Sequence, residues 1–509
     1  MVAQQADTSL LANDLIDGSD RRDRTNLPIR TQLLLIALEC WSAACAICLL
    51  VATCALWIPS ANREIPPIPL ITACVALGPA WDVMALLSLT LGLFGLSSCS
   101  VWTLSLCLIR SKGEELPKYA VAAHATVLRT HLLTLRPSNL YTVRRVSLWL
   151  IVAGGMTLVL LDQLRLQAWF FQLLLFCLVF LLPTPELRLK WLQMMVISIY
   201  AYSAIGKLDY QFLNTVGQDF LQAMVRTFGM DCQNWNGTVR VLLASGFPIC
   251  ELMLAAGLCF VRFRRLTGWA ACLFHLTLLW LLGGQLGHSW GVLIWNLQFA
   301  VQALLLFALP TARPGNLCFV FSTIGKHSLA TDLTLAEQRV RWFAPNFLIQ
   351  ACLVLAIVLP ATERLGWWDH WPSWALYAPH SSRVQVWVAP HVGESLPIAL
   401  RQIIEQSTKD QPENQVNTGI EIPLATWSLQ VLGVPVYPQA RYQLGLSRHL
   451  STIIHDQYAI RAELRSFAGR LEGGRTIQEL FNADQIHSAS AQFWLNSQPR
   501  SFRSKSNSP

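Results

Sequence analysis

Charged residues are scarce in this sequence of 509 residues: only 13% are Asp, Glu, Lys or Arg, whereas 53% are hydrophobic. Soluble domains usually carry about 25% charged residues. This shortage of charge, with a mean hydropathy of +0.41, excludes an ordinary soluble domain and indicates an integral membrane protein. The formal net charge of +8 does not indicate nucleic-acid binding, because many of the basic residues lie in short loops between apolar runs.

Three further features are missing from the sequence. We expect no cleavable signal peptide, because residues 1–30 are polar and the apolar run that follows is too long for a signal core. No disulfide framework is evident, since Cys232 alone lies clearly in a polar loop. Cys40, Cys45 and Cys48 have a spacing found in iron–sulfur proteins, but they lie in an apolar stretch where cysteine acts as a small hydrophobe. We see no internal repeat, which weakens a transporter interpretation.

Long apolar runs are abundant instead. Nine of them have roughly the length that a helix needs to cross a membrane, about 20 residues. They cover 32–58, 82–109, 146–162, 169–184, 190–206, 243–262, 267–284, 291–309 and 343–361. The apolar segment 65–79 is interrupted by four prolines, so we expect a re-entrant or interfacial piece there rather than a tenth span.

The distribution of Lys and Arg supports nine spans and gives an orientation. With the N-terminus in the cytoplasm, every strongly basic loop falls on the cytoplasmic side, as membrane proteins usually show. These loops are 110–145, 188–190, 262–265 and 313–341. We therefore predict an all-α polytopic membrane bundle of about nine transmembrane helices with a small C-terminal extracytoplasmic α+β domain, located in a bacterial inner membrane.

The predicted organisation has four parts. They are a polar cytoplasmic tail at 1–30, a transmembrane domain at 31–361, an extracytoplasmic C-terminal domain at 362–495 and a disordered tail at 496–509. Within the C-terminal domain, we predict strands at 382–388 and 427–437 and helices at 460–471 and 476–481.

Several polar residues lie at the predicted extracytoplasmic ends of the spans or inside them. Such side chains usually face a cavity or one another, because an ionised group against hydrocarbon is costly. Lys207 ends the fifth predicted span, Glu251 lies within the sixth, and His275 lies near the middle of the seventh. The others are Asp82, Asp162, Arg165, Gln167, Asp209 and His288. Their concentration toward one leaflet predicts a pocket that opens outward.

Simpler interpretations of these residues remain open. Asp162 and Arg165 have the spacing of an interfacial ion pair. Lys207 can extend its ammonium to the headgroups, and His275 can be a hydrogen-bonded packing residue. If Lys207 is instead desolvated, burial favours its neutral amine, which is a usable base. Asp209 would oppose this by holding the lysine charged.

The segment Ile205–Gly217 resembles the lysine segment of vitamin K-dependent gamma-carboxylases and their bacterial relatives, the HTTM membrane proteins. It has a small residue before Lys-Leu-Asp, an aromatic residue three positions later and a glycine further on. The stretch Glu251–Phe263, the helix that carries Phe274-His275 and the segment Trp371–Ala378 are also similar. The resemblance covers roughly residues 30–380, and DoxX- and MauE-type redox-associated membrane proteins share the lysine-bearing helix end more distantly.

The resemblance implies that Lys207 is the catalytic base that deprotonates a reduced quinone, either menaquinol or a vitamin K-like quinol. In the carboxylases the oxygenated quinone then abstracts a glutamate proton, and carbon dioxide adds to the carbanion. The candidate substrate-binding residues are Gln167, Trp169, Asp209, Glu251, His275 and His288, and no metal ligands are assigned. Besides the lipid bilayer, the expected partner is a peptide or a redox protein on the extracytoplasmic side, and not a nucleic acid.

The chain departs from the carboxylases at Asp162–Trp169, where they have a functional histidine and this chain offers Gln167 or its neighbours. Its C-terminal domain is also smaller. A second hypothesis is therefore a non-catalytic membrane module that binds a lipid or a partner, or that supports an oxidoreductase as implied by the DoxX and MauE relatives. In that module, Lys207 would form a structural ion pair with Asp209 or Asp162.

Overall fold

The computed structural model describes residues 31–60, 63–113, 137–309, 333–409 and 419–500. The helices of eight or more residues are α1 (Thr31–Ala52), α2 (Ala80–Gly113), α3 (Pro137–Leu161), α4 (Ala168–Phe180), α5 (Pro185–Lys207), α6 (Val216–Arg226), α7 (Gly237–Cys259), α8 (Arg264–Trp280), α9 (Trp290–Ala303), α10 (Leu333–Val358), α11 (Ile398–Lys409), α12 (Leu424–Leu432), α13 (Ala440–Ile454) and α14 (Ala483–Ser490). Short helices also form at Cys54–Trp57 and Tyr210–Asn214. The strands are β1 (Arg383–Val388), β2 (Ile420–Glu421), β3 (Ile460–Arg465) and β4 (Ile477–Leu480).

Within the described residues, seven helices are long and apolar enough to cross a membrane. They cover Thr31–Ala52, Ala80–Ser105, Asn139–Leu161, Gly237–Cys259, Arg264–Gln285, Trp290–Ala308 and Asn346–Leu365. The other two predicted spans are helical as well. However, α4 has only 13 residues, and the first two turns of α5 carry the charged residues Glu186, Arg188 and Lys190. The count of nine spans and the orientation therefore stay predictions.

The proline-interrupted segment forms no long helix. Its residues are irregular apart from one 3-10 turn at Thr72–Cys74, which agrees with the prediction that it is not a tenth span. Ile65 and Ile68 are nevertheless fully buried, and the carbonyl of Ile68 accepts a hydrogen bond from the backbone of Gln163. The segment is therefore packed into the protein.

Antiparallel pairing joins all four strands into one sheet in the order β2-β1-β3-β4. Val386 of β1 lies opposite Ala462 of β3, which in turn lies opposite Leu480 of β4. Every second residue of β1 is buried, and α13 packs against β1 and β3. The predicted strand at 382–388 is thereby confirmed, and the C-terminal region has the predicted α+β character.

Three secondary-structure predictions in this domain are wrong. Residues 424–432 form helix α12 instead of a strand, because Leu424, Trp427 and Leu432 recur at helical spacing and are all buried. The segments predicted as helices at 460–471 and 476–481 contain β3 and β4. In β3 the buried residues alternate, as at Ile460 and Ala462, so this period outweighs the helix propensity of its Arg, Glu and Leu residues.

The C-terminal domain shares a continuous hydrophobic core with the apolar helices. Polar contacts cross the same boundary. Glu64 accepts hydrogen bonds from the backbone of Ala399 and from the Trp427 indole, and Arg441 donates to Gln163 at 2.8 Å. The two regions are thus packed into one body.

The ordered chain also extends past the predicted domain end at 495. Asn496 and Arg500 are buried, at 5% and 2% exposure, although we predicted disorder from 496 onward. The Asn496 amide donates to the carbonyl of Pro69 at 2.9 Å. The rest of the predicted tail, 501–509, and the predicted N-terminal tail, 1–30, lie outside the described residues.

Candidate functional site

Lys207 is the last residue of α5, and its ammonium is fully coordinated. Its Nζ lies 2.6 and 2.8 Å from the two carboxylate oxygens of Glu251 and 2.8 Å from the hydroxyl of Ser203. Ser203 stands one turn earlier on the same helix, and Glu251 comes from α7. Lys207 is 4% exposed, so the interpretation in which it reaches toward headgroups is wrong.

The predicted partners of Lys207 pair with other residues. Asp209 lies 2.6 Å from Arg364, and Asp162 lies 2.9 Å from Arg63. Residues two apart do not share a helix face. Asp209 instead accepts a hydrogen bond from the backbone of Gln211 at the start of the next short helix. An ion pair of Lys207 with Asp209 or Asp162 is therefore wrong.

Arg165 does not form the predicted pair with Asp162. Its guanidinium contacts Asp82 at 2.6 Å, and Arg500 reaches the other oxygen of Asp82 at 2.7 Å. All of these side chains are buried. They form a charge network between the helices and the end of the chain, away from Lys207.

His275 of α8 occupies a defined hydrogen-bonding position beside the ion pair. Its Nε2 lies 2.7 Å from the hydroxyl of Tyr200, and its Nδ1 lies 3.1 Å from Oδ1 of Asn296. The amide of Asn296 donates to the carbonyl of Val292, so its oxygen faces the histidine. This orientation assigns the proton to Nδ1, and Nε2 then accepts from Tyr200. His275 also stacks on Phe299, with ring centroids 5.0 Å apart, so the packing role is confirmed.

Lys207, Glu251 and His275 line one cavity of about 60 Å³. Aromatic rings supply much of its remaining wall. The other lining residues are Ile199, Tyr200, Ser203, Phe212, Phe220, Phe247, Phe274, Leu278, Leu282, Trp295, Asn296, Phe299, Leu376 and Tyr377. The structure therefore brings three of the candidate residues together in an apolar, aromatic cavity.

The other candidates do not line this cavity. The Gln167 amide donates to the carbonyl of Leu164 at 2.7 Å, and Trp169 packs edge-on against Phe170 with centroids 5.4 Å apart. Asp209 is committed to Arg364, as described above. The structure therefore does not bring Gln167, Trp169 and Asp209 together with Lys207, and their role in substrate binding stays a prediction.

His288 is not among the residues that line the cavity, but it contacts one of them. It follows the span Arg264–Gln285, and its ring meets that of Tyr377 edge-on at 5.6 Å. Burial lowers the pKa of His288, so the imidazole is neutral at pH 7. It thus contacts the cavity wall through Tyr377, and its predicted role in substrate binding stays a prediction.

Tyr377 is a cavity residue that sequence reasoning missed. Its backbone has a φ of +59°, which is uncommon for a residue other than glycine. Its hydroxyl is buried and has no hydrogen-bond partner among the described residues. Burial and the nearby Glu251 raise the pKa of Tyr377, so this hydroxyl stays protonated. The sequence did carry a signal for Tyr377. It is a polar aromatic residue within Trp371–Ala378, a segment that the sequence analysis singled out for its resemblance.

Among the described residues, the cavity contains no set of metal-ligand side chains; one such set, Glu363, His370 and His380, lies elsewhere. Comparisons with known proteins identify no family: no protein-family model, curated protein or solved structure matches this chain. Function is therefore inferred from the geometry of the cavity.

Proposed function

We propose that this chain is a multi-pass membrane protein that deprotonates a reduced quinone in the Lys207 cavity. The observation that carries the proposal is the Lys207–Glu251 pair, which is buried in a cavity walled by aromatic rings. Aromatic walls favour a flat ring, and a basic group placed against them can take a proton from its hydroxyl.

The proton transfer follows from the two groups of the pair. A proton first moves from the Lys207 ammonium to the Glu251 carboxylate, giving a neutral amine and a neutral acid. The amine then takes the proton of the quinol hydroxyl, which leaves a quinolate beside the re-formed Lys207 ammonium. Glu251 retains the first proton, so the net change is one proton from quinol to Glu251.

The cavity must widen for a quinol to bind. Its volume of about 60 Å³ is smaller than the roughly 150 Å³ of a protein cavity that holds benzene. Tyr377 is a suitable moving wall, because its hydroxyl has no partner within the described part of the chain. We infer that quinol entry rotates Tyr377, whose hydroxyl then donates a hydrogen bond to the ligand.

The setting is the predicted bacterial inner membrane, with the C-terminal domain on the extracytoplasmic side. Seven apolar helices and the one-sided basic loops support it. The fuller reaction of the resembled carboxylases, oxygenation of the quinol and carboxylation of a glutamyl peptide, belongs to the same proposal. The position of Gln167 outside the cavity gives that second stage less support than the deprotonation itself.

The test uses the purified full-length chain in lipid nanodiscs with menaquinol and oxygen. Lys207→Ala is expected to reduce menaquinol oxidation at least 100-fold, because general base catalysis contributes about 10²–10⁴-fold. Glu251→Gln is expected to slow it as well, because glutamine cannot take the proton of the Lys207 ammonium. Lys190→Ala is the matched control, because this lysine lies on the same helix and outside the cavity wall.

Folding of each variant is checked by size-exclusion chromatography before the assay. A folded Lys207→Ala protein that oxidises menaquinol at the wild-type rate would rule out the lysine as base. Wild-type protein without any menaquinol binding or oxidation would remove the quinol itself from the proposal.

A non-catalytic module that binds a lipid or supports an oxidoreductase is the second candidate. The observation that favours it is the complete coordination of the Lys207 ammonium, whose three N–H groups all have acceptors. In this case menaquinol is not consumed, and the double variant Lys207→Met/Glu251→Leu binds lipid or partner as the wild type does. Menaquinol oxidation and lipid or partner binding by the wild type and by this double variant therefore discriminate the two candidates.

A further inference from the structure

Glu363, His370 and His380 form a compact cluster outside the Lys207 cavity. Glu363 lies at the end of the span Asn346–Leu365, His370 follows in the Trp-rich exit segment, and His380 precedes β1. The Nδ1 of His370 lies 2.8 Å from Oε1 of Glu363, and the Nε2 of His380 lies 3.0 Å from Oε2. All three residues are buried, at 5%, 3% and 0% exposure.

Glu363 differs from the other buried carboxylates in the type of residue that balances its charge. The described residues contain six of them: Glu39, Asp82, Asp162, Asp209, Glu251 and Glu363. The first five each form an ion pair with an arginine or lysine. In the part of the chain that the structure describes, Glu363 pairs only with the two histidines. Unless a histidine is protonated, Glu363 is a buried carboxylate without a cation, which is costly, so this cluster calls for positive charge.

The arrangement of the donor atoms fits a metal ion. One ligand atom from each residue lies within 4.8 Å of the others. Around a tetrahedral zinc ion, bonds of about 2.0–2.2 Å place neighbouring ligand atoms about 3.3–3.6 Å apart. The observed N–O distances of 2.8 to 3.1 Å need to open by only a few tenths of an ångström. Two imidazoles and one carboxylate are also ligands that zinc and its neighbours accept.

We propose that Glu363, His370 and His380 bind one divalent transition-metal ion, with Zn²⁺ as the best match. The metal replaces the protons between the carboxylate and the two rings, and it neutralises Glu363. It also joins the end of the last apolar helix to the start of the C-terminal sheet. The site is thus a metal clamp between the two regions, separate from the Lys207 chemistry.

The second ring nitrogen of His380, Nδ1, affects the metal affinity that we expect of the site. Its Nδ1 is buried without a hydrogen-bond partner in the described part of the chain. Histidine ligands usually donate from this second nitrogen, and loss of such a bond weakens metal binding about 10–100-fold. Binding is therefore expected to be weaker than at a zinc site with a complete outer shell, and measurable by titration.

The experiment titrates the full-length protein, purified in detergent without a polyhistidine tag, with Zn²⁺ against a chromophoric chelator and separately with Co²⁺. Wild type is expected to bind one Zn²⁺ and to develop the visible absorption of Co²⁺ bound by nitrogen and oxygen. His370→Gln and His380→Gln should each weaken Zn²⁺ binding at least tenfold. His391→Gln is the matched control, because that histidine is exposed at the surface.

Two results would overturn the metal site. One is wild-type protein that gives no Co²⁺ absorption and no Zn²⁺ competition, a readout that does not depend on whether the variants fold. The other is equal Zn²⁺ binding by wild type and by the two cluster variants, which would place the bound ions on surface histidines. A loss of binding only in His391→Gln would have the same meaning.

Discussion

Lys207 and Glu251 each depend on the other, because neither charge is accommodated alone in this apolar setting. Both side chains are at most 10% exposed, and the pair is closed by Ser203. Removal of one partner of a buried ion pair leaves an uncompensated charge, whereas replacement of both by apolar groups is often neutral. The pair therefore has a stability signature that is independent of any catalytic role.

We expect Lys207→Met to lower the free energy of unfolding by about 3–5 kcal/mol. The double variant Lys207→Met/Glu251→Leu should recover most of this loss, because no charge is then left unpaired. Thermal denaturation of the detergent-solubilised protein, followed by tryptophan fluorescence, measures the difference. Lys190→Met serves as the control, since Lys190 lies on the same helix but is only partly buried.

If the double variant is as unstable as the single one, the pair contributes by packing and not by charge. If Lys207→Met has no effect, the ion pair is not formed in solution. Either outcome would also remove the support that the pair gives to the proposed proton transfer.

Sequence identified the members of this site better than it identified their partners. Lys207, Glu251 and His275 stand out because a polar residue in an apolar run is rare. The choice of Glu251 over Asp209 depends on how α5 faces α7, and the distribution of apolar residues does not determine that. Tyr377 was missed because a tyrosine near a membrane boundary is ordinary in sequence.

Helices α2 and α3 pack directly through their backbones. A Cβ on Gly154 of α3 would lie 2.6 Å from the carbonyl oxygen of Ala85 and 2.8 Å from the amide of Leu89. Gly92 of α2 meets α3 in the same way, at 2.7 Å from the carbonyl of Ser147. Small residues allow such close approach, which is a common way for apolar helices to associate.

Gly154→Ala is expected to destabilise the protein by about 1–3 kcal/mol, because the added methyl group meets backbone that cannot move aside. Gly246→Ala is the matched control. Gly246 also lies inside a helix, α7, but a Cβ there meets nothing within 4 Å. Alanine should be neutral or stabilising by up to about 1 kcal/mol at that site. Parallel melting curves of the two variants measure the contrast, and equal midpoints would show that α2 and α3 are not in backbone contact.

At the scale of elements, sequence predicted the apolar helices well and the C-terminal domain poorly. A run of apolar residues fixes a helix almost regardless of its neighbours, because a backbone in lipid must satisfy its own hydrogen bonds. Strands β3 and β4 are different, since their Glu, Gln, Arg and Leu residues also suit a helix. The conformation of β3 is decided by its pairing with β1 and that of β4 by its pairing with β3, which the sequence does not display locally.

At the scale of the whole molecule, Arg500 connects the C-terminal region to the apolar helices. Arg500 donates to Asp82 at 2.7 Å and to the carbonyls of Leu77 and Gly78 at 3.0 and 3.2 Å. Asp82 is in the first turn of α2, so the contact bridges more than 400 residues of sequence. Because the core is also continuous, we expect the apolar helices and the C-terminal domain to unfold together.

Arg500→Met is expected to destabilise both regions by about 1–3 kcal/mol, because it removes a donor from the buried carbonyl of Leu161 and one of the two arginines that pair with Asp82. Limited proteolysis along a temperature series, read by mass spectrometry, measures the midpoint for peptides of each region separately. Arg448→Met is the matched control, since that arginine of the same domain is partly exposed and surface changes usually stay within about 0.5 kcal/mol. Loss of the C-terminal domain at a lower temperature than the helices in the Arg500 variant would show that the two regions fold independently. Coincident midpoints, both shifted down, are the result that a single core joined by Arg500 requires.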